Sequence, residues 1–252
     1  MISKNQIKYV HQLELKKFRK QEGLFIAEGH KLVGDLLRAG FKPRQIFAIQ
    51  EWITDNTSLL SVLDSQLTEV NLEELTRLSL LQHPQQVLAL FPIPDEQTIP
   101  SHHNSLSLLL DNVQDPGNLG TIIRIADWFG IDTIYCSLGT VDAWNPKVVQ
   151  ATMGSIARVH IKYVDPQLLF DSLPDKFPVY GTFLDGDNIY TQQLSQQGII
   201  VMGNEGNGIS DAVRARVTHK LLIPDFHNGD TADSLNVAIA TAITCSEFRR
   251  RM

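Results

Sequence analysis

Three short runs, LSLLL at 106–110, DTIYC at 132–136 and GIIVM at 198–202, are apolar at nearly every position instead of every second one. A strand with one wet face alternates apolar and polar residues, so such runs need cover on both faces. Helical signals fall between them. The combination narrows the fold to the α/β class, with a parallel sheet covered by helices over 106–252. The expected order is LSLLLD, a helix from about Asn118 to Phe129, DTIYC, a helix near NPKVVQATM, ARVHIKYV and a helix near PQLLFDSL. It continues with PVYGTFL, GIIVMG, a helix capped by Ser210, KLLIP and a terminal helix from about Ser234 to Arg250. Sheets of this kind bind ligands beyond the carboxyl ends of their strands.

Residues 1–91 read as a separate, smaller α/β unit. SKNQIKYVHQLELKKFRK predicts one basic amphipathic helix, with Ile7, Val10, Leu13 and Phe18 along one face, Lys4, Lys8, Lys16 and Lys20 toward another, and Ser3 as cap. Strand signals follow at GLFIAEG, QIFAI, LTEV and QQVLALF, with helices at HKLVGDLLRAG and after Asn71. The proline-rich 92–105 reads as a linker, whose His102 and His103 have no spaced ligand partners.

The net charge is −6, yet residues 1–50 carry ten Lys and Arg against four Asp and Glu. A basic end on an acidic body points to a polyanion such as nucleic acid, with Lys4, Lys8, Lys16 and Lys20 as its contacts; a merely solvated helix face is the alternative. The first residues do not resemble a signal peptide, and no run reaches about 18 apolar residues, so the expectation is a cytoplasmic protein with no membrane partner. Cys136 and Cys245 stand far apart without a C-x-x-C or His-rich motif; they read as buried small hydrophobes, and no metal site is expected.

Three strand-end loops are rich in Gly, Pro, Asn, Asp and Ser: DNVQDPGNLG after Leu110, GNEGNGIS after Met202 and PDFHNGDTAD after Ile223. Loops at one end of one sheet can converge on a pocket where main-chain groups meet a ligand. There is no G-x-x-x-x-G-K-[ST], H-E-x-x-H or G-x-S-x-G, and the glycines of GNEGNG are spaced G-x-x-G-x-G, not as in the dinucleotide fingerprint. Asp225, His227 and Asp230 read as a polar loop, since nothing sets their mutual spacing.

Together the loops resemble the SpoU-type, TrmH-like branch of the SPOUT RNA methyltransferases. Asn118 and Arg124 match its first motif, Gly203 to Gly206 its second, and Ile223, Pro224, Ser234, Leu235, Asn236 and Val237 its third. The match covers 106 to about 249, and FIAEGHKLVGDLL resembles the family's substrate-binding domain. The stretch PDFHNGDTAD departs from the pattern in being longer than the usual loop.

The resemblance implies a SPOUT domain with a trefoil knot, a homodimer, and methyl transfer from S-adenosylmethionine to a ribose 2′-hydroxyl. The substrate is expected to be ribosomal RNA; transfer RNA, a non-catalytic RNA-binding or ribosome-assembly role, and a non-RNA adenosine-cofactor enzyme are the alternatives. It implies catalytic roles for Arg124, Asn118, Glu205 and Asn236, and a cofactor pocket of Met202, Gly203, Asn204, Ile223, Ser234 and Leu235. Arginine stays protonated, so Arg124 suits a fork on the phosphate next to the target ribose better than a base. Pairing with Asp115 or Asp127 is the structural alternative. Gly203, Gly206 and Gly208 would let main chain approach the cofactor, with Glu205 facing the reacting end.

Overall fold

A computed structural model describes residues 2–61, 66–95, 105–227 and 234–250. The chain divides into two compact units, Met1–Pro94 with Asp142–Ala157, and Asp95–Val141 with Arg158–Met252. Position along the chain assigns 142–157 to the second domain; by packing it groups with the first. Most of the 92–105 linker, including His102 and His103, lies outside the described residues.

In the first unit, strands β1 (Leu24–Glu28), β2 (Gln45–Ala48), β3 (Leu67–Glu69) and β4 (Val87–Pro92) form a sheet in the order β1-β4-β2-β3. Only β2 and β3 run parallel. Val10, Leu13, Ile26, Phe47, Leu75, Leu78, Leu88 and Leu90 belong to its core. The basic N-terminal segment is two helices instead of one, α1 (Lys4–Gln12) and α2 (Lys16–Glu22). Ser3 does cap α1, in a reciprocal box with Gln6. The break follows from Leu13, which is fully buried, and from Arg19, whose Nη1 donates to Leu13 O at 2.9 Å and Glu14 O at 2.6 Å. Those carbonyls end α1, and a buried guanidinium replaces the helical bonds they lack. Helices α3 (His30–Arg38) and α6 (Leu72–Leu78) lie where the pattern places them. Two short ones, α4 (Gln50–Asp55) and α5 (Thr57–Leu60), have too few turns to show a period, and segment 142–157 adds another short helix, α8 (Pro146–Ala151).

The second unit is a six-stranded sheet: β5 (Leu106–Leu110), β6 (Thr133–Ser137), β7 (His160–Val164), β8 (Val179–Asn188), β9 (Gly198–Met202) and β10 (His219–Leu222). Their order is β10-β8-β9-β5-β6-β7, every pair parallel. The strands that the opening runs form, β5, β6 and β9, are buried at all five positions, β6 starting one residue after the exposed Asp132. One face packs Leu109, Tyr135, Val179, Ile199 and Val201 with Leu169 and Phe170 of α9 (Pro166–Asp171) and Val213 of α10 (Asp211–Arg214). Toward the other, Tyr180 meets Phe248 of α11 (Val237–Arg250) edge-on at 4.9 Å, and α11 packs along α7 (Pro116–Trp128). Truncating a core leucine such as Leu109 to Ala costs about 2–5 kcal/mol in sites of this kind.

The connections decide where a ligand fits. From β5 the chain steps outward through β6 to β7, then returns to β8 and β9 on the opposite side of β5. Strand order therefore reverses between β5 and β9, and the crevice beyond the carboxyl ends of such a pair is where open parallel sheets hold ligands.

Candidate functional site

Two of the motif loops leave the sheet at that reversal. After β5, Asp115 caps α7 by accepting from Asn118 N at 2.7 Å, with Pro116 in the first turn, so α7 begins two residues before the expected Asn118. After β9, residues 203–208 fold back on themselves. Asn204 N donates to Gly208 O at 3.0 Å, Gly208 N donates to Asn204 O at 2.9 Å, and the Asn204 amide oxygen accepts from Gly206 N and Asn207 N.

For two of these glycines the loop's own geometry supplies a reason. A Cβ on Gly203 would lie 2.3 Å from Gly208 C and 2.4 Å from Ile209 N, so the turn's own main chain fills that space. Gly208 is needed for its left-handed backbone, φ +68°, and a Cβ there would meet nothing within 4 Å. The Asn204 side chain is committed within the site's own scaffold, its amide nitrogen donating to Asn112 O at 2.8 Å. Met202 is buried at the strand end, and its carbonyl accepts from Asp111 N at 2.9 Å.

Asn118, Glu205 and Asn236 come together from all three motifs. The Asn118 amide nitrogen donates to Glu205 Oε1 at 2.7 Å, and the Asn236 amide nitrogen donates to Asn118 Oδ1 at 2.9 Å. Asn236 Oδ1 accepts from Ala238 N at 2.9 Å and Ile239 N at 3.3 Å. Asn236 thus caps α11, which starts at Val237 instead of about Ser234; its amide oxygen caps while its nitrogen reaches another loop. Ser234 and Leu235 are exposed, Leu235 to 50%, and Ile223 is half-buried. Ser210 precedes α10 without a side-chain capping bond.

Arg124 lies on the same helix as Asn118, six residues or roughly 9 Å further along its axis. It is exposed and, among the described residues, makes no hydrogen bond or ion pair. The structural alternative for it is not realised, because Asp127 takes a bidentate pair from Arg158 and Asp115 is spent on its cap. A helical arginine leans back toward the N-terminus of its helix, here the end that carries Asn118.

The four lysines, Lys4, Lys8, Lys16 and Lys20, are all exposed, but they form two pairs on two helices instead of one stripe. Asp225 accepts from the main-chain N of His227, a local turn, while Asp230 lies outside the described residues. Among the described residues no three His, Cys, Asp or Glu gather as a metal site, and no helix is long and apolar enough to cross a membrane. Both cysteines are buried, and burial pushes the Cys245 thiol up to about 12. Sequence reasoning missed Asp111 and Asn112; an Asp-Asn pair at a strand end carries no periodic signal.

Comparison with known proteins agrees with this architecture. Residues 105–246 match the SpoU rRNA Methylase family, and residues 4–89 match the MRM3-like substrate binding domain. The chain is 32% identical over 254 residues to the 23S rRNA (guanosine(2553)-2'-O)-methyltransferase RlmP of Bacillus subtilis (strain 168), covering 98% of this chain and 97% of the relative. A solved TrmH-family structure from Porphyromonas gingivalis is 40% identical, covers 100% of both chains and superposes with a TM-score of 0.86. An AdoMet-bound rRNA methyltransferase from Sinorhizobium meliloti, 29% identical, gives 0.88 over 100% of this chain and 97% of the other.

Proposed function

The chain belongs to the SpoU rRNA methylase family, and from that membership together with the geometry of its loops we infer that it transfers a methyl group from S-adenosylmethionine to a ribose 2′-hydroxyl of ribosomal RNA. The observation that carries the reading is the hydrogen-bonded chain Glu205–Asn118–Asn236, which draws all three motifs to one point at the strand-order reversal. Ribosomal RNA is favoured because RlmP and the Sinorhizobium meliloti protein both act on it by name.

The residues present fit this cofactor. Leu235 offers an exposed apolar surface to an adenine face, Ile223 is half-buried, and the 203–208 turn leaves open space at Gly208. Glu205 supplies a carboxylate where a sulfonium needs a negative neighbour. When bound, S-adenosylmethionine supplies an electrophilic methyl group. The chain's own residues then have to bring the hydroxyl into line and strip or polarise its proton. Arg124, with its donors unspent, serves as a fork on the adjacent phosphate and stabilises charge developing on the oxygen. Asn118 and Asn236 hold Glu205 and the loops in register. Lys4, Lys8, Lys16 and Lys20 contact RNA phosphates.

The family's homodimer and trefoil knot are part of the same proposal. Trp128 on α7, 85% exposed, and Ile239 on α11, 52% exposed, are apolar surface suited to a second copy. The knot concerns the segment before α11, of which 228–233 lie outside the described residues. Incubating the protein with labelled S-adenosylmethionine and unmodified ribosomal RNA, then mapping 2′-O-methyl sites, tests the reaction; label incorporated into base atoms, or none at all, overturns it.

A further inference from the structure

We infer that Asp111 and Asn112, at the carboxyl end of β5, form a polar latch that positions the 203–210 loop, and with it Glu205, for catalysis; its catalytic part rests on the methyl-transfer reading above. Asp111 is 2% exposed and, among the described residues, has no cationic partner. A carboxylate so buried is costly unless its oxygens are hydrogen-bonded, and both of them are. Oδ1 accepts from the Asn112 amide nitrogen at 3.0 Å, and Oδ2 accepts from Ser210 N at 2.8 Å.

Asn112 holds the other end of the same loop. It adopts φ +59°, a left-handed conformation that asparagine tolerates better than most residues. Its carbonyl accepts from the Asn204 amide nitrogen, and its N–H donates to Ser137 Oγ at 2.9 Å. Its Oδ1 lies against Gly139, where a Cβ would approach it to 2.0 Å. The glycine loop is thus tied at Asn204 and again at Ser210, with Glu205 between the anchors. Two adjacent residues of β5's exit set where that carboxylate stands relative to Asn118. Both are positioning residues, since neither is proposed to touch the reacting atoms.

The polarity of the latch makes it testable. Asp111→Asn turns one acceptor into a donor and sets it against the Asn112 amide nitrogen. The double variant D111N/N112D restores every bond, because the new amide donates to the new carboxylate while its oxygen still accepts from Ser210 N. Aspartate also tolerates the left-handed backbone. Three readouts apply to the full chain: hydrogen exchange at the 204–210 amides without ligand, calorimetric binding of S-adenosylmethionine, and steady-state methyl transfer. In D111N the Ser210 amide exchanges about tenfold faster, cofactor affinity falls about tenfold, and kcat drops with KM for RNA unchanged; the double variant recovers all of these. Unchanged exchange in D111N, a fall in melting temperature alone, or a double variant as impaired as D111N overturns the latch. Should D111N fail to fold, the double variant decides: folding with wild-type cofactor affinity supports the latch, and failing to fold or bind overturns it. A wild-type protein that binds no S-adenosylmethionine defeats the functional reading, while hydrogen exchange still decides whether the latch holds the loop.

Discussion

Arg19 on α2 and Arg124 on α7 are both helix arginines with opposite surroundings. Arg19 is 1% exposed and spends four of its five N–H donors: Nη1 serves two carbonyls at the α1–α2 break, while Nε and Nη2 grip Asp142 Oδ2 at 3.1 and 2.6 Å. Arg124 is exposed and has no bond of its own among the described residues. The pair shows how a charge count misleads. Arg19 is one of the ten cations that make the front end basic, yet it faces an aspartate and main chain, so it offers nothing to a polyanion. A guanidinium meant for RNA keeps its donors unspent until the phosphate arrives.

The contrast can be broken most directly at Arg124. Replacing it with Ala lowers methyl transfer at least about a thousandfold, or about 4 kcal/mol of transition-state stabilisation, with melting temperature and cofactor affinity close to wild type. A large loss of stability instead would mean that it is built into the fold like Arg19. Arg19→Ala has the reverse signature, about 3 kcal/mol lost in urea unfolding because Asp142 and two carbonyls are stranded. Turnover at low temperature should then stay near wild type; a stable R19A protein would end the comparison from the other side.

Asn118→Ala tests the link between the two kinds of polar group, since it leaves a charged acceptor without its donor. The expected loss is about 1.5–3 kcal/mol in kcat/KM, roughly ten- to a hundredfold. Wild-type kinetics would reduce the Glu205–Asn118–Asn236 chain to a structural contact.

The smallest effect belongs to Glu28 in the front unit. Burial raises its pKa, opposed by hydrogen bonds from Ser79 Oγ and Leu80 N. A carboxyl with a raised folded pKa stabilises the fold as it protonates, and that stability is lost as pH rises through the folded pKa. Glu28→Gln imitates the protonated form, so it should match or exceed wild type above that pKa by about 1 kcal/mol or less, the gap closing as pH falls toward 4.5. A gap that widens on acidification contradicts the assignment, as read by thermal melts across pH.

Much of this protein was legible in order along the chain. Short, nearly all-apolar runs between helical signals read as strands covered on both faces, and β5, β6 and β9 are that. Failures cluster where a distant partner decides. The continuous helix over 3–20 is broken because Leu13 enters the core and Arg19 finds Asp142, 123 residues away. The terminal helix expected from about Ser234 begins at Val237, because Asn236 caps it while its amide nitrogen reaches Asn118. Gly203 and Gly208 read alike as letters, yet one answers a steric clash and the other a left-handed backbone.

By itself, then, the amino-acid order determined the α/β class, the parallel sheet and the three loops that carry chemistry. These follow from local periodicity and from turn residues whose preferences act over a few positions. Tertiary structure alone decided which polar groups are spent and which remain available. That Arg19 is consumed, Arg124 has no bond among the described residues, and Asp111 binds a loop 99 residues away depends on contacts between segments remote in the chain. A hydrogen bond is formed by atoms within about 3 Å of one another, and no local pattern encodes that proximity.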